Sequence, residues 1–502
     1  MDPDPTRLTT IRIVLDIPCR LDKLHELLRL QADAVPTREL QSPQAPPPRR
    51  DDDLTRISAV KPICLLTLQL VLVCSTLPAQ SPAWRGDGTG HYPDAQPPTH
   101  WSPDGNVVWQ LDLPGRGYSS PALSDDRLLL TAEPDHVLCV DASSGKLLWQ
   151  DQAGYAAALG EAEAARIEEA RAKLEGEKRE LKQVHDKLRE SEPDSKETEQ
   201  AKQTLQDKDD EVRAFEQQYP PQKRGGAGNA APTGVCDGER FYTGFGTGIV
   251  AAYELGGRRL WIRHIEAPHN NFGHSASPVL AAGKLIVHYQ DLVALDPATG
   301  KELWRTELKP RFGTSVAVTI DDQDVLVTPS GALVRADDGK ILADKLFSLS
   351  SNSPLVHDGI VYAHESGSIK ALRLPENLDE PVEAELLWES KSSRDQRMAS
   401  AAYHDGILYA GGRQGILDVT DARTGESLYR KRLDVGQLFS SFTVAGDYLY
   451  ISGKDGKTLV LRPGREYDEV AVNPLQRSSS SPVFIGKRMY FRTDDKLYCI
   501  GE

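Results

Sequence analysis

From residue 106 onward the apolar residues gather into short runs, alternating or continuous, broken by Gly and Asp. RLLLTA (Arg127 to Ala132), GIVYAH (Gly359 to His364), GILYAG (Gly406 to Gly411) and DYLYIS (Asp447 to Ser452) are examples. Short runs rich in Val, Ile, Leu and Tyr predict antiparallel strands. The runs return in one order: a Ser-Pro-like pair, an apolar strand, two more strands, an Asp-x-x-x-Gly-Lys turn and a Trp-ended strand. The clearest copy runs from Ser277-Pro278 through LIVHY (Leu285 to Tyr289) to LVALDPATGKELW (Leu292 to Trp304). Copies start near Ser120-Pro121, Ala231-Pro232, Ser277-Pro278, Ser315-Val316, Ser353-Pro354, Ser400-Ala401, Ser441-Phe442 and Ser481-Pro482. A four-strand unit repeating every ~40 residues is the signature of a propeller blade. The expected fold is therefore all-β: an eight-bladed β-propeller of four-stranded antiparallel blades, with seven blades as the competing count.

The last copy stops after its third strand, LYCI (Leu497 to Ile500), and the missing fourth strand is available upstream. NVVWQLDL (Asn106 to Leu113) resembles the outer strand KLLWQ (Lys146 to Gln150). We expect it to close the ring by pairing with the C-terminal blade, which removes a free sheet edge. Residues 106–150 then supply the closing strand and blade one, and residues 229–502 supply blades two to eight.

Residues 151–228, between copies one and two, follow another period. Glu, Lys, Arg, Ala and Gln dominate from Tyr155 to Tyr219. Ile167, Leu174, Leu181 and Leu188 recur every seven residues, with Ala170 and Val184 at intervening positions. Pro193 in SEPDS (Ser191 to Ser195) breaks the pattern, and a second helix carries Leu205, Val212 and Phe215. This predicts a coiled-coil-like α-helical hairpin projecting from the ring. It serves either as a charged, solvated arm or as a docking arm for a partner.

The N-terminal region reads differently again. Arg56 and Lys61 flank PICLLTLQLVLVC (Pro62 to Cys74), followed by STLPAQ (Ser75 to Gln80). A basic flank, a short apolar run and the small Ala79 fit a signal peptide over residues 57–79. The run falls short of the ~20 residues of a membrane span. Residues 1–56, including PQAPPPRRDDD (Pro43 to Asp53), read as disordered or as an overextended start, and residues 80–105 as an N-terminal extension. No stable membrane span is expected after removal of the signal.

Turn chemistry is the most specific local signal. In VDASSGKLLW (Val140 to Trp149) and LDPATGKELW (Leu295 to Trp304), Asp141 and Asp296 can hydrogen-bond the turn backbone. Gly145 and Gly300 supply positive φ, while Trp149 and Trp304 can pack on a neighbouring blade. This turn resembles the tryptophan-docking motif of pyrroloquinoline quinone (PQQ) repeat proteins. That family includes quinoprotein alcohol dehydrogenases and the outer-membrane-protein assembly scaffold BamB. PAWRGDGTG (Pro82 to Gly90), LPGRGYSSPAL (Leu113 to Leu123) and the segment from Ser478 to Gly501 carry the same resemblance. It spans about Trp84 to Glu502 apart from the insertion, and it implies a secreted bacterial propeller.

Charge and candidate chemistry narrow the function. A net charge of -15 argues against nucleic-acid binding, and 39% hydrophobic content is ordinary for a globular protein. Six cysteines are few for a disulfide framework; Cys139, Cys236 and Cys499 read as structural thiols. Cationic residues recur just before the Ser-Pro-like pairs: Arg116, Arg311 and Arg477 in phase, with His274 and Arg397 one place later. They suggest either a channel mouth that attracts an anionic ligand, with His269, Asn270 and Asn271 nearby, or interblade salt bridges. A quinoprotein dehydrogenase would bring an adjacent Cys pair, a calcium site and an Asp base. The sequence offers no Cys pair, no calcium-loop spacing, no P-loop at Lys454 to Thr458 and no convincing metal set in His269 and His274. The expectation is a non-enzymatic scaffold without cofactor or metal, periplasmic or secreted, with cell-envelope proteins as partners. The alternative is a PQQ- and calcium-dependent oxidoreductase with a diverged site.

Overall fold

The computed structural model describes residues 83–502, apart from 223–224 and 269–271. The signal expected over 57–79, the segment before it, and His269, Asn270 and Asn271 lie outside the described residues. Thirty-two strands form eight four-stranded antiparallel sheets, and one two-residue strand joins the edge of one sheet. Blade three is typical, with strands Val279–Ala281, Lys284–His288, Leu292–Leu295 and Glu302–Thr306 running in sequence from the axis outward.

Eight buried apolar clusters lie one between each pair of consecutive blades, and they settle the circle. Leu129 and Cys139 of blade one pack with Phe241 and Tyr253 of blade two. Tyr450 of blade seven packs with Phe484 and Met489 of blade eight, and Leu128 of blade one with Tyr490 and Leu497 of blade eight. The last contact joins the two ends of the repeat array. Val107–Asp112 pairs antiparallel with Lys496–Gly501, Leu111 facing Leu497, so the upstream strand closes the ring as expected. The blade count is eight.

A second closure runs around the axis itself. Each innermost strand is preceded, two residues earlier, by a Ser or Thr whose hydroxyl accepts the main-chain N–H of the equivalent residue in the previous blade. Ser120 N donates to Thr233 Oγ1 (2.9 Å), Thr233 N to Ser277 Oγ (3.0 Å) and Ser277 N to Thr314 Oγ1 (3.0 Å). Thr314 N donates to Ser353 Oγ (2.8 Å), Ser353 N to Ser400 Oγ (3.0 Å) and Ser400 N to Ser441 Oγ (3.1 Å). Ser441 N donates to Ser481 Oγ (2.9 Å), and Ser481 N to Ser120 Oγ (3.1 Å) completes the circuit. This register corrects two repeat starts. Thr233 and Thr314 occupy the positions that the sequence pattern assigned to Ala231 and Ser315, because the hydroxyl defines the position and the following Pro does not.

The tryptophan motif acts between blades. Trp149 Nε1 donates to Leu255 O of the next blade (2.9 Å), and Trp304 Nε1 to Ala336 O (3.0 Å). Gly300 has φ +68°, and a Cβ there would lie 2.6 Å from the Trp261 ring, so this glycine is required twice over. Asp141 caps its turn through Ser144 N (2.7 Å) and two serine hydroxyls, which hold its carboxyl down at about 2. Asp296 does the same through Thr299 N (2.8 Å).

The segment expected as an extension enters the channel. His91–Tyr92 pairs in parallel with the innermost strand of blade seven, Thr443–Ala445, on its axial edge. Buried Arg85 fixes this segment by donating to Ala401 O (2.8 Å) and Phe442 O (2.6 Å) of adjacent blades.

The insertion forms a short helix, Tyr155–Leu159, and an antiparallel pair, Glu161–Ser191 and Lys196–Gln218. Ile167 and Val212 are buried in its seam, whereas Val184 is exposed. The expected intervening positions Ala170 and Val184 sit one residue early. Arg171, Lys178 and His185 face the partner helix instead, since the seam steps by four residues and then three. Lys178 pairs with Asp209 (2.7 Å) and Lys208 with Glu177 (2.8 Å), which makes the outer seam polar.

Two outcomes test this account. Ser441→Ala leaves the buried Ser400 N–H without an acceptor and should cost about 1–3 kcal/mol in denaturant unfolding. Ser441→Thr should restore stability, and an unchanged midpoint for Ser441→Ala would overturn the ring's role. Burial, reinforced by the Arg397 cation, pushes His364 down to about 3, and burial also lowers His288 and His264. Their folded values lie below the unfolded ~6.5, so this stability is complete above that pH and is lost as pH falls below it. The unfolding midpoint should drop between pH 7 and pH 5, and less steeply in His364→Gln.

Candidate functional site

Alternation along the extended segments that lead into the innermost strands sorts every side chain there. Counting back from the strand, the second residue is the ring hydroxyl. The fourth is Tyr118, Ala231, Ser275, Phe312, Ser351, Met398, Phe439 or Ser479, and all eight line one cavity of about 520 Å³ at the channel mouth. Trp84 of the N-terminal segment also lines it, together with Phe272, Gln396, Arg413 and Lys454. The third and fifth residues turn into the blade interfaces.

This parity decides where the five cationic positions go, and none of them lines the cavity. His274, Arg311 and Arg397 are all fifth residues, so Arg311 belongs with the other two and not with Arg116 and Arg477. His274 is buried with its ring centroid 4.4 Å from that of Tyr289. Arg397, also buried, pairs with Asp418 (2.6 Å), which Arg430 reaches from its other oxygen (2.5 Å). Arg311 donates to Ser348 Oγ (2.8 Å). Arg116 and Arg477 are sixth residues. Arg116 is half exposed and bonds Glu133 (2.7 Å), and Arg477 is exposed.

The cations that do line the cavity were missed. Arg413 and Lys454 lie two residues beyond the second strands, Ile407–Gly411 and Tyr448–Ser452, in Gly412-Arg413-Gln414-Gly415 and Gly453-Lys454-Asp455-Gly456, a phase-matched pattern in blades six and seven. Lys454 Nζ lies 4.6 Å from the centroid of the Phe439 ring. Sequence reasoning also missed Arg492, whose guanidinium is buried between blades eight and one on Ser119 Oγ (2.7 Å) and Thr131 O. Only a glycine at 117 leaves it room.

Among the described residues the cavity lining contains no Asp, Glu, His or Cys. Among the described residues no group of three or more such side chains could hold a metal ion. Cys139, Cys236 and Cys499 are separate buried thiols; burial pushes Cys139 up to about 12 and Cys499 up to about 11. A calcium-bound quinone needs oxygen ligands for its metal and a carboxylate base beside it, and these residues do not fit that pair. Among the described residues no helix is long and apolar enough to cross a membrane.

The hairpin stands on the connection into blade two, whose Gly226 and Ala227 also line the cavity. Its base is fixed by Tyr155, which donates to Pro220 O (2.9 Å) and packs its ring on Tyr219 and His264. Arg171 donates to Tyr219 O (2.9 Å) and stacks over Phe215.

Known proteins share this architecture. The outer membrane protein assembly factor BamB of Shewanella oneidensis is 23% identical over 239 residues, 43% of this chain and 56% of its own length. That of Legionella pneumophila is 23% identical over 196 residues, 36% of this chain and 49% of its own length. The chain thus spans about half the length of these curated relatives. Among solved structures, BamB from Moraxella catarrhalis superposes with a TM-score of 0.51 at 12% identity, covering 79% of this chain and 99% of that one. Quinohemoprotein alcohol dehydrogenase from Comamonas testosteroni does so with a TM-score of 0.50 at 10% identity, covering 84% and 80%. Both likenesses concern the fold. A family model described as outer membrane protein assembly factor BamB matches residues 102–290 and again 288–501. Two consecutive matches take in nearly the whole ring, and the chain belongs to this family of PQQ-like repeat propellers.

Proposed function

We propose that this chain is a non-enzymatic binding scaffold of the bacterial cell envelope, which gathers partner proteins on its channel-mouth face. One observation carries the reading. The face that holds the mouth also holds a rigidly based helical arm, yet among the described residues its cavity lining has no carboxylate, imidazole or thiol to move a proton or ligate a metal. The hydroxyls that could act as nucleophiles are held by main-chain N–H groups, with no base beside them. Export through the signal over residues 57–79 supplies the periplasmic or secreted location. The hairpin of Glu161–Ser191 and Lys196–Gln218 serves as the docking arm, and Arg116 and Arg477 at the rim favour acidic partner surfaces.

The named relatives are outer membrane protein assembly factors, which favours assembly proteins of the outer membrane as partners here. Replacing residues 161–218 by a short Gly-Ser linker should leave the ring folded, because the seam beyond the hairpin's base is polar and makes little of the core. The expected result is an unchanged β-sheet circular dichroism spectrum. A photo-crosslinker at Arg116 of the full chain should lose its envelope-protein adducts in that variant. Identical adducts with and without the arm would sink the docking role. Recovery of the intact protein in the cytoplasmic fraction would sink the envelope assignment.

The competing oxidoreductase reading has a direct test. Purified chain supplied with PQQ and calcium should show no alcohol-dependent reduction of an electron-accepting dye. Turnover that saturates with alcohol would replace the scaffold reading.

A further inference from the structure

We propose that the channel mouth is a binding site for a small amphiphilic carboxylate, whose apolar body sits in the aromatic collar and whose acid group meets Lys454, Arg413 and the ring hydroxyls. The proposal stands independently of the scaffold reading, since a cavity ligand and a docked protein engage different groups.

Three features of the cavity converge on this chemistry. Its volume of about 520 Å³ lies in the range of small-molecule sites, which are mostly apolar with a few placed polar groups. Its collar mixes large with small: Tyr118, Phe312, Met398 and Phe439 project, while Ala231, Ser275, Ser351 and Ser479 leave slots between the apolar walls. Trp84 supplies a further flat wall.

Charge is one-signed. Among the described residues, Arg413 and Lys454 are the only charged ones that line the cavity. Neither forms an ion pair among the described residues, whereas Arg116 and Arg397, outside the cavity, are committed to Glu133 and Asp418. An anion entering the cavity therefore displaces no internal partner.

The ring hydroxyls set the direction of hydrogen bonding. Thr233, Thr314, Ser353, Ser400 and Ser441 each accept a main-chain N–H. Among the described residues none of these five O–H groups donates to an acceptor. The cavity thus presents donors and cations together, and an ionised carboxylate, which only accepts, is the complementary partner. A cation finds no counter-charge there, and a neutral alcohol matches the hydroxyls without using the charge.

Dodecanoate, kept below its micellar concentration, is the probe. Calorimetric titration of the full chain should give one site, with dodecyltrimethylammonium and dodecanol at least about tenfold weaker, and dodecanoate affinity should fall with added salt. Lys454→Ala combined with Arg413→Ala should weaken dodecanoate by about tenfold or more while leaving the thermal midpoint in place, because both residues lie outside the hydroxyl ring. Phe439→Ser should weaken all three probes together. Tryptophan fluorescence should change on titration in the parent protein and not in Trp84→Phe, since Trp84 lines the cavity. Equal binding of anion and cation, an affinity indifferent to the double substitution, or no binding of dodecanoate would each overturn the proposal.

Discussion

The circuit of eight hydroxyl-to-amide hydrogen bonds around the axis is the constraint on which the rest of this propeller depends. Interblade apolar layers pull sheets together without fixing their height, because hydrophobic contact is non-directional. The hydroxyl of each blade accepting the main-chain N–H of the blade before it supplies that missing coordinate. Each such bond is modest by itself, yet each also satisfies a buried donor that would otherwise be orphaned. The tryptophans on the outer strands perform the same task at the far radius, with Trp149 and Trp304 each bonding a carbonyl of the following blade.

Once the ring residue is pinned two places before each innermost strand, the character of the mouth follows from parity alone. The second and fourth positions face the channel, and the fifth faces a neighbouring blade. Placed at an odd position, Arg397 becomes a buried ion-pair partner of Asp418. Placed at the end of a second strand, Lys454 reaches the channel and its aromatic wall. Cationic residues a few positions apart in sequence thus do unrelated work, one stabilising an interface and the other setting the charge of a cavity.

How much of this was legible in the sequence follows the same logic. The blades were readable because the Asp-x-x-x-Gly-Lys turn and the Trp-ended strand repeat almost literally, and the closing strand because Asn106 to Leu113 resembles an outer strand with no blade of its own. The break in the hairpin was readable from Pro193. Thr233 and Thr314 escaped because Ala231-Pro232 and Ser315 mimic the Ser-Pro-like pair at the wrong phase. The seam through Arg171, Lys178 and His185 escaped because polar residues occupy positions where apolar ones are sought. Parity near the axis was invisible without the register, which is why Arg311 was grouped with Arg116 and why Arg413 and Lys454 were passed over. Arg85 looked incidental in sequence, since the carbonyls it holds belong to residues more than three hundred positions away.

The strand that completes blade eight lies near the start of the described chain, whereas its partner, Lys496–Gly501, lies at the extreme end. A ribosome therefore finishes seven sheets before the eighth can exist, and the early strand must wait unpaired through nearly all of synthesis. The ring is committed to its topology only once Lys496–Gly501 has been made, and until then the earlier blades form an open array. Without Lys496–Gly501 the other seven sheets are still complete, but the circle they form has no seal.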